Sequence, residues 1–469
     1  MRAIAHWLLS RVPGILWSKG ADPGGALCGK GNAWVLRGAF SLTILALAVR
    51  SRAGVVEEWN AAMVRVFQAE AISPCLGSRH MAILHAAIHD AVNVCMPRDT
   101  LYRPVPAGER LSTELAAQLN DPALGQVAGA GAGAGAGYEV LRKLAPARQA
   151  EFDKLLSKQL AAWPPDELRN AALGVGRQVA ERLFAERAGD GSSTTIPYVP
   201  KSAPGRWRRT EPGLRPPEMP HWALMRPFSL DTPSQFRAPP APAPDSGAFR
   251  VLLEEITRLG GKESSERTAE QTLIARFWSD FSYTSTPPGH WNEILRDLSL
   301  REPLSLHESA RAFYLLNIAM ADAGLAVWDS KYHYNTWRPV TAVHHSGTKD
   351  WQALLVTPPH PDYLSGHSGF SGAAAVILNK VFPDRPPGWS FTVRSDTLNE
   401  VTRTFSSFDE CAKEISMSRV YGGIHFRHSC EEGVRLGHKV GDHVMRTQGS
   451  LQAHPQTASE NPHTPPSCR

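Results

Sequence analysis

Thirteen of the chain's 37 prolines fall between Pro197 and Pro244. Proline lacks a backbone N–H and its ring clashes with the preceding turn, so no helix interior can run through this stretch. Trp207, Trp222 and Phe228 stand among the prolines. A flexible linker would carry fewer aromatics, so the stretch reads as an ordered, extended arm lying across a helical body. Both flanks read as helical. Apolar residues recur at three-to-four spacing over 57–69, 78–93, 138–160 and 165–188 before the arm. They do so again over 249–259, 268–281, 306–328, 368–381, 397–421 and 431–445 after it. That period is helical, and alternating strand patterns are nearly absent. The expected fold class is therefore all-α, a large helical bundle with an extended arm. The Ala-Gly alternation over 128–137 is of low complexity and reads as a poorly specified helix start or a loop.

The 469 residues exceed one minimal domain and suit a single large helical unit or two fused ones. We expect a leader at 1–53, an N-terminal helical region at 54–195, the arm at 196–246, a catalytic helical bundle at 247–447 and a disordered polar tail at 448–469. In the leader, residues 39–49 form an apolar run of signal-peptide length, with Arg37 before it and Arg50 and Arg52 after it. It resembles a signal segment whose start lies downstream of Met1. The two trailing arginines argue against export, so a secreted or periplasmic protein and a cytoplasmic one both stay open. The run is short for a bilayer, and no stable membrane span is expected. The net charge of +5 is not gathered into a basic run, which speaks against a nucleic-acid partner. The six cysteines form no CxxC pair, so a zinc knuckle or thioredoxin-type site is unsupported. Free thiols are expected; pairing of Cys75 with Cys95 and of Cys411 with Cys430 is the alternative in an oxidising compartment.

Three segments carry chemistry. In the first, Lys331 and Arg338 are seven residues apart, a spacing that puts both on nearly one helix face. Trp328, Tyr332, Tyr334 and Trp337 around them suggest a partly buried setting, where two cations call for an anionic ligand. In the second, Ser365, Gly366 and His367 precede an apolar helix expected to start at Ser368. Free N–H groups at a helix start bind anions, glycine permits close approach, and the histidine can move protons. In the third, Arg419 and His425 flank a Gly-Gly break. Arginine's planar fork can hold two oxyanion oxygens. Each segment alone has a plainer reading: a solvated basic helix, an N-cap, a helix end. Together they form a set suited to a tetrahedral or trigonal-bipyramidal oxyanion, vanadate or phosphate.

The order Lys-x6-Arg-Pro, Ser-Gly-His, Ser-Arg-x5-His resembles the vanadium-dependent haloperoxidases and their relatives, the type-2 phosphatidic acid phosphatases and bacterial acid phosphatases. The resemblance runs from about residue 55 to 445 and is nearest the bacterial-type branch. It implies that Lys331, Arg338 and Arg419 neutralise the oxyanion, that Lys331 acts as a catalytic residue by polarising the peroxide, and that Ser365 and the Gly366 N–H hydrogen-bond the oxyanion. His425 would be the apical ligand to vanadium, or the nucleophile in a phosphatase. His367 would be the acid–base residue, Trp328 an aromatic beside the site, and His360 a halide-tuning residue of the bromoperoxidase kind. The implied reaction is oxidation of halide, bromide favoured, by hydrogen peroxide to hypohalous acid for a small organic acceptor, with vanadate and no haem. The alternative is a phosphomonoesterase using the same side chains, and a catalytically silent helical binding protein ranks lowest. A homo-oligomer is left open. Two positions depart from the family: Leu364 replaces the usual proline, and Ser429 stands where an aspartate often supports the ligand histidine.

Other histidines read more plainly. His85 and His89 are four apart on a helix, a spacing that can bind zinc, but no third ligand is evident. His344 and His345 are expected in a loop at the entrance to the site. His438 and His443 read as helix-surface residues.

Overall fold

The computed structural model describes residues 54–449, except 162, 164, 165, 201, 202 and 399. The leader reading, and the tail reading beyond residue 449, lie outside these. The first half comprises α1 (Val55–Glu70), α2 (Pro74–Cys95), α3 (Thr113–Gln118), α4 (Pro122–Leu144), α5 (Gln149–Leu160) and α6 (Glu167–Arg187). After the arm come α7 (Gly247–Gly260), α8 (Ala269–Phe277), α9 (Thr286–Arg301), α10 (Leu306–Tyr334), α11 (Pro339–His345) and α12 (Gly366–Val381). Strands β1 (Phe391–Arg394) and β2 (Thr402–Phe405) follow, then α13 (Phe408–Tyr421) and α14 (Arg427–Gln448). The fold is all-α, with one two-stranded antiparallel sheet among the described residues.

The Ala-Gly tract is neither a helix start nor a loop. It is the buried interior of α4, entered through Asp121, whose side chain accepts from the Ala123 N–H, and Pro122. Glycine disfavours a helix by about 1 kcal/mol per residue against alanine. Close packing offsets that cost here. A Cβ on Gly176 of α6 would lie 1.9 Å from the Ala132 carbonyl oxygen, and one on Gly135 would lie 2.3 Å from that of Leu173. The two helix backbones touch, and a side chain at either position would separate them. α12 and α14 meet the same way, where a Cβ on Gly437 would sit 2.3 Å from the Gly369 oxygen.

α10 joins the two halves. A capping box of Ser305 and Glu308 starts it. It packs on α2 from the first half and on α12 and α14 from the second. Its length and hydropathy would suit a membrane, but it is almost wholly buried inside the protein. It stops at Asn335, whose left-handed φ of 54° ends the helix. Lys331 and Arg338 therefore do not share a helix face, contrary to the spacing argument: Arg338 lies past the cap, on extended backbone before α11.

One further expectation fails, and one helix was not foreseen. The segment 397–421 is not one helix, because β2 occupies its first part and pairs with β1 in the register Phe391↔Phe405 to Arg394↔Thr402. Phe391, Val393 and Phe405 are buried on one face of this hairpin. The Thr286–Arg301 segment, whose pattern did not stand out, is helix α9, begun by Pro287 and Pro288.

The arm crosses the bundle in extended form with a short 3-10 turn at Pro220–Leu224. Trp207 and Trp222 are wholly buried. Asp322 of α10 pins the arm by accepting the backbone N–H groups of Phe228, Ser229 and Leu230 at 2.7, 2.7 and 2.9 Å. The Trp207 N–H donates to the Asn335 carbonyl at 2.9 Å and the Trp337 N–H to that of Gly205 at 3.0 Å. His443 is engaged rather than free on the helix surface, its Nε2 lying 3.2 Å from the Ser229 carbonyl oxygen.

Candidate active site

Four elements converge at one end of the second bundle. The last two turns of α10 supply Trp328 and Lys331, and the link to α11 supplies Arg338. The N-terminus of α12 supplies Ser365 as N-cap and Gly366 as first residue, two positions earlier than the sequence suggested. α13 supplies Arg419 in its last turn. The chain then folds back at Gly423, where φ is +74° and a Cβ would lie 2.1 Å from the Gly260 oxygen. That reversal lets the Ile424 N–H donate to the Arg419 carbonyl at 3.1 Å and brings His425 beside the arginine.

Three cations lie out of solvent here: Lys331 and Arg338 are 0 % exposed and Arg419 1 %. Lys331 Nζ donates to the carbonyl oxygens of Pro361 and Asp362 at 2.9 and 3.1 Å. Burial, then Arg338, holds its pKa well below the ordinary lysine value. Arg338 donates from Nε to the His360 carbonyl and from Nη1 to that of Ile424, both at 2.7 Å. Its Nη1 is also 3.1 Å from His425 Nε2, and its Nη2 is 2.9 Å from His360 Nδ1. Arg419 is less satisfied. Its Nη1 donates to His367 Nε2 at 2.8 Å, but its Nε and Nη2 are buried without a partner. Burial lowers the pKa of each arginine to about 10, so both stay charged. Two orphaned donors on a buried cation mark a place for acceptor oxygens.

His425 Nδ1 is 2.8 Å from Asp362 Oδ1. Ser429 Oγ is 3.3 Å from the same nitrogen and donates to the Asp362 backbone carbonyl at 3.0 Å. The carboxylate absent from position 429 is thus supplied by Asp362, from the loop before Ser365. Burial pushes the Asp362 pKa up to about 7, against the pull of Arg338 and Lys331. Burial, then Arg338 and Lys331, drives His425 well below its ordinary value, so its ring is neutral. A neutral ring that gives its Nδ1 proton to Asp362 keeps a lone pair on Nε2, the nitrogen beside Arg338.

His367 lies across the site. Its Nε2 is 2.8 Å from Arg419 Nη1 and 3.4 Å from Asp280 Oδ2. Burial and Arg419 bring its pKa down to about 4 despite Asp280. Burial would raise the Asp280 carboxyl, but His290 and His367 hold it well below the usual carboxylate range. His290 Nδ1 is 3.1 Å from Asp280 Oδ1. Burial alone would lower His290, but Asp280 outweighs it and keeps its pKa at about 9. His367 can accept from the guanidinium when neutral and donate to Asp280 when protonated, which suits a proton carrier.

Sequence reasoning missed both carboxylates. Asp362 sits in the His360-to-His367 segment, three residues before Ser365, so its signal was in view. Asp280 belongs to no motif. His360 packs its ring 5.0 Å from that of Trp328, and Trp328 lies 3.3 Å from where a Cβ on Gly366 would stand. Ser365 Oγ accepts from Ser368 Oγ at 3.0 Å. A cleft of 720 Å³ opens over the site. Its lining includes His360, Gly366, His367, Arg419 and His425, with Pro216, Pro217 and Glu218 from the arm. His344 and His345 do not line this cleft. They end α11, with His344 Nε2 2.7 Å from the Trp351 carbonyl oxygen and the His345 ring 5.4 Å from Trp337. His85 Nε2 lies 3.1 Å from Asn60 Oδ1, and His89 sits between Asp90 and Asp99.

Residues 311–453 match the family model of the second helical-bundle domain of vanadium chloroperoxidase. The vanadium chloroperoxidase of Curvularia inaequalis is 24 % identical over 454 residues, 76 % of this chain and 74 % of that one. A bacterial vanadium-dependent iodoperoxidase superposes with a TM-score of 0.70 at 28 % identity, covering 84 % of this chain and 96 % of its own. The chain is thus similar to vanadium haloperoxidases in sequence and in fold. A holo bacterial vanadium-dependent chloroperoxidase shares the haloperoxidase fold at a TM-score of 0.63 and 18 % identity, over 81 % of this chain and 93 % of that one. In this chain Asp362 backs His425, and Ser429 is a lesser contact.

Proposed function

We propose that the protein is a vanadate-dependent haloperoxidase. It would oxidise halide, bromide in preference, with hydrogen peroxide to hypohalous acid or an equivalent that halogenates a small organic acceptor. The observation that carries the reading is the pair of orphaned Arg419 donors in a cleft also lined by His425, a neutral histidine held by a carboxylate and contacted by a second buried cation, Arg338. These residues fit an oxyanion. Lys331, Arg338 and Arg419 would hold vanadate with Ser365 and the Gly366 N–H, and His425 Nε2 would be its ligand. When bound, vanadate supplies a Lewis-acidic centre that activates peroxide towards halide.

The chain's own residues set up that chemistry. Asp362 fixes the His425 tautomer by taking its Nδ1 proton bond, so the lone pair stands on Nε2. The three cations offset the oxyanion's charge without water, at donors already oriented. His367, neutral near pH 7, would take up a proton at Nε2 and turn it towards Asp280 Oδ2, 3.4 Å away. His360 sits between Trp328 and Arg338 at the cleft wall, and we assign it the tuning of halide preference.

The test is halogenation with peroxide and bromide, on vanadate-free protein with and without added vanadate. Phosphomonoesterase activity is measured in parallel. Halogenation that requires vanadate and is lost in His425→Ala is the expected result. Phosphatase activity without vanadate, and no halogenation, would overturn the proposal in favour of a His425 nucleophile acting on phosphorus.

A further inference from the structure

A second group of ligating side chains lies on the far side of Asp280. His290 and Glu293 stand one turn apart on α9, so they share a face. Asp396 reaches them from the turn between β1 and β2. A ring nitrogen of His290 and one oxygen from each carboxylate all lie within 4.8 Å of one another. We propose that His290, Glu293 and Asp396 form a site for a divalent cation of the zinc class, joined to the oxyanion site through Asp280.

The histidine points to a ligand independently of the acidic pair. It is 2 % exposed, its Nδ1 is at ion-pair distance from Asp280 Oδ1, 3.1 Å, and neither ring nitrogen has a hydrogen-bond partner. A metal-bound histidine ordinarily gives its other ring N–H to a carboxylate, which fixes the ring and raises its basicity. Asp280 stands where that carboxylate belongs. Asp396 is also oriented: its Oδ2 accepts from the Ser285 N–H at 2.5 Å and from the Ser285 hydroxyl at 2.7 Å, which leaves Oδ1 for a cation. One imidazole nitrogen and two carboxylate oxygens suit zinc, which would displace the proton His290 carries in the metal-free protein and release it to solvent, with manganese a weaker competitor. Glu293 is half-buried and Asp396 exposed, so water can complete the coordination and the ion can enter from solvent. Arg296 is the cation facing Glu293, and two carboxylates offset it.

Asp280 connects this site to the proton carrier, because its other oxygen is 3.4 Å from His367 Nε2. A cation on His290 would fix Asp280 in place from behind.

The experiment is titration of tag-free, chelator-stripped full-length protein with zinc chloride alone, read by calorimetry and by metal content after gel filtration. One zinc per chain is expected. Glu293→Gln and Asp396→Asn should each weaken binding by about 10- to 100-fold, the range seen when metal-site support is removed. The melting temperature of each metal-free variant shows that it is folded. His425→Ala should bind zinc as the unaltered protein does, which separates this site from the oxyanion pocket. The proposal is overturned by the absence of saturable binding, by equal affinity in Glu293→Gln and Asp396→Asn, or by loss of binding in His425→Ala alone.

Discussion

Replacing Arg419 with methionine separates stability from function in a way few site substitutions do. In the ligand-free protein Arg419 makes one good hydrogen bond, Nη1 to His367 Nε2 at 2.8 Å, and a marginal one to the Ser279 carbonyl at 3.5 Å. Its Nε and Nη2 are buried and unpaired. Each buried donor left unsatisfied costs about 1–3 kcal/mol, and a hydrogen bond involving a charged group contributes about 1.5–3 kcal/mol. Removing a buried cation is usually damaging because it strands its counter-charge. Here Asp280 keeps His290, whose pKa of about 9 leaves it protonated at neutral pH. The orphaned donors therefore outweigh the lost bond. Arg419→Met should leave the ligand-free protein as stable as before or about 1–3 kcal/mol more stable in urea unfolding at pH 7. Oxyanion binding should suffer: losing the two donors costs about 1.5–3 kcal/mol, or roughly 10- to 100-fold in affinity. A saturating oxyanion at 100 times its Kd adds about 2.7 kcal/mol to the stability of the unaltered protein, and that increment should shrink in the variant. A ligand-free Arg419→Met protein destabilised by more than about 2 kcal/mol would refute the reasoning, since those donors would then be engaged.

Other substitutions test other features. Asp362→Ala should reduce turnover by about 10- to 100-fold while Ser429→Ala stays within roughly twofold, in steady-state assays; equal losses would return the supporting role to position 429. Gly176→Ala should lower the melting temperature through overpacking of about 1–3 kcal/mol or more, because its Cβ would fall 1.9 Å from a backbone oxygen. Asp322→Ala leaves three backbone donors without their acceptor and should expose the arm to limited proteolysis between residues 197 and 244. Burial lowers His80 and His85 to about 3, and burial with Arg419 lowers His367 to about 4. Depressed folded values mean that the unfolded chain binds these protons first, so stability is full above about pH 6.5 and falls as pH drops towards 4. Thermal melts should show that fall, with a shallower slope in His85→Gln.

The helical class was legible because the second-half helices keep a three-to-four apolar period even where fully buried. What failed had local causes. Lys331 and Arg338 looked like one helix face because spacing does not register the left-handed turn at Asn335. The Ala-Gly tract looked unstructured because its stability comes from contact with α6, which no local propensity reveals. The β-hairpin strands are four residues each, too short for alternation to stand out. Among site residues, the cations and histidines were visible as motifs, since Lys331, Arg338, His367 and Arg419 sit at helix ends and His360 and His425 in the short loops leading into α12 and α14. Asp280 was not: it reaches the site from the loop between α8 and α9, more than 80 residues before His367, and only tertiary packing joins them.

The arm has a consequence for how such a catalyst can diversify. Arg215, Pro216, Pro217 and Glu218 form part of the cleft wall, yet the residues we propose to hold the oxyanion all come from α10, α12, α13 and the links beside them. The approach to the reaction centre and the centre itself are thus written in separate stretches of the chain. Grafting a different sequence between Trp207 and Phe228, the stretch whose far end Asp322 anchors, would change which acceptor molecules can come near while the residues beneath stay in place.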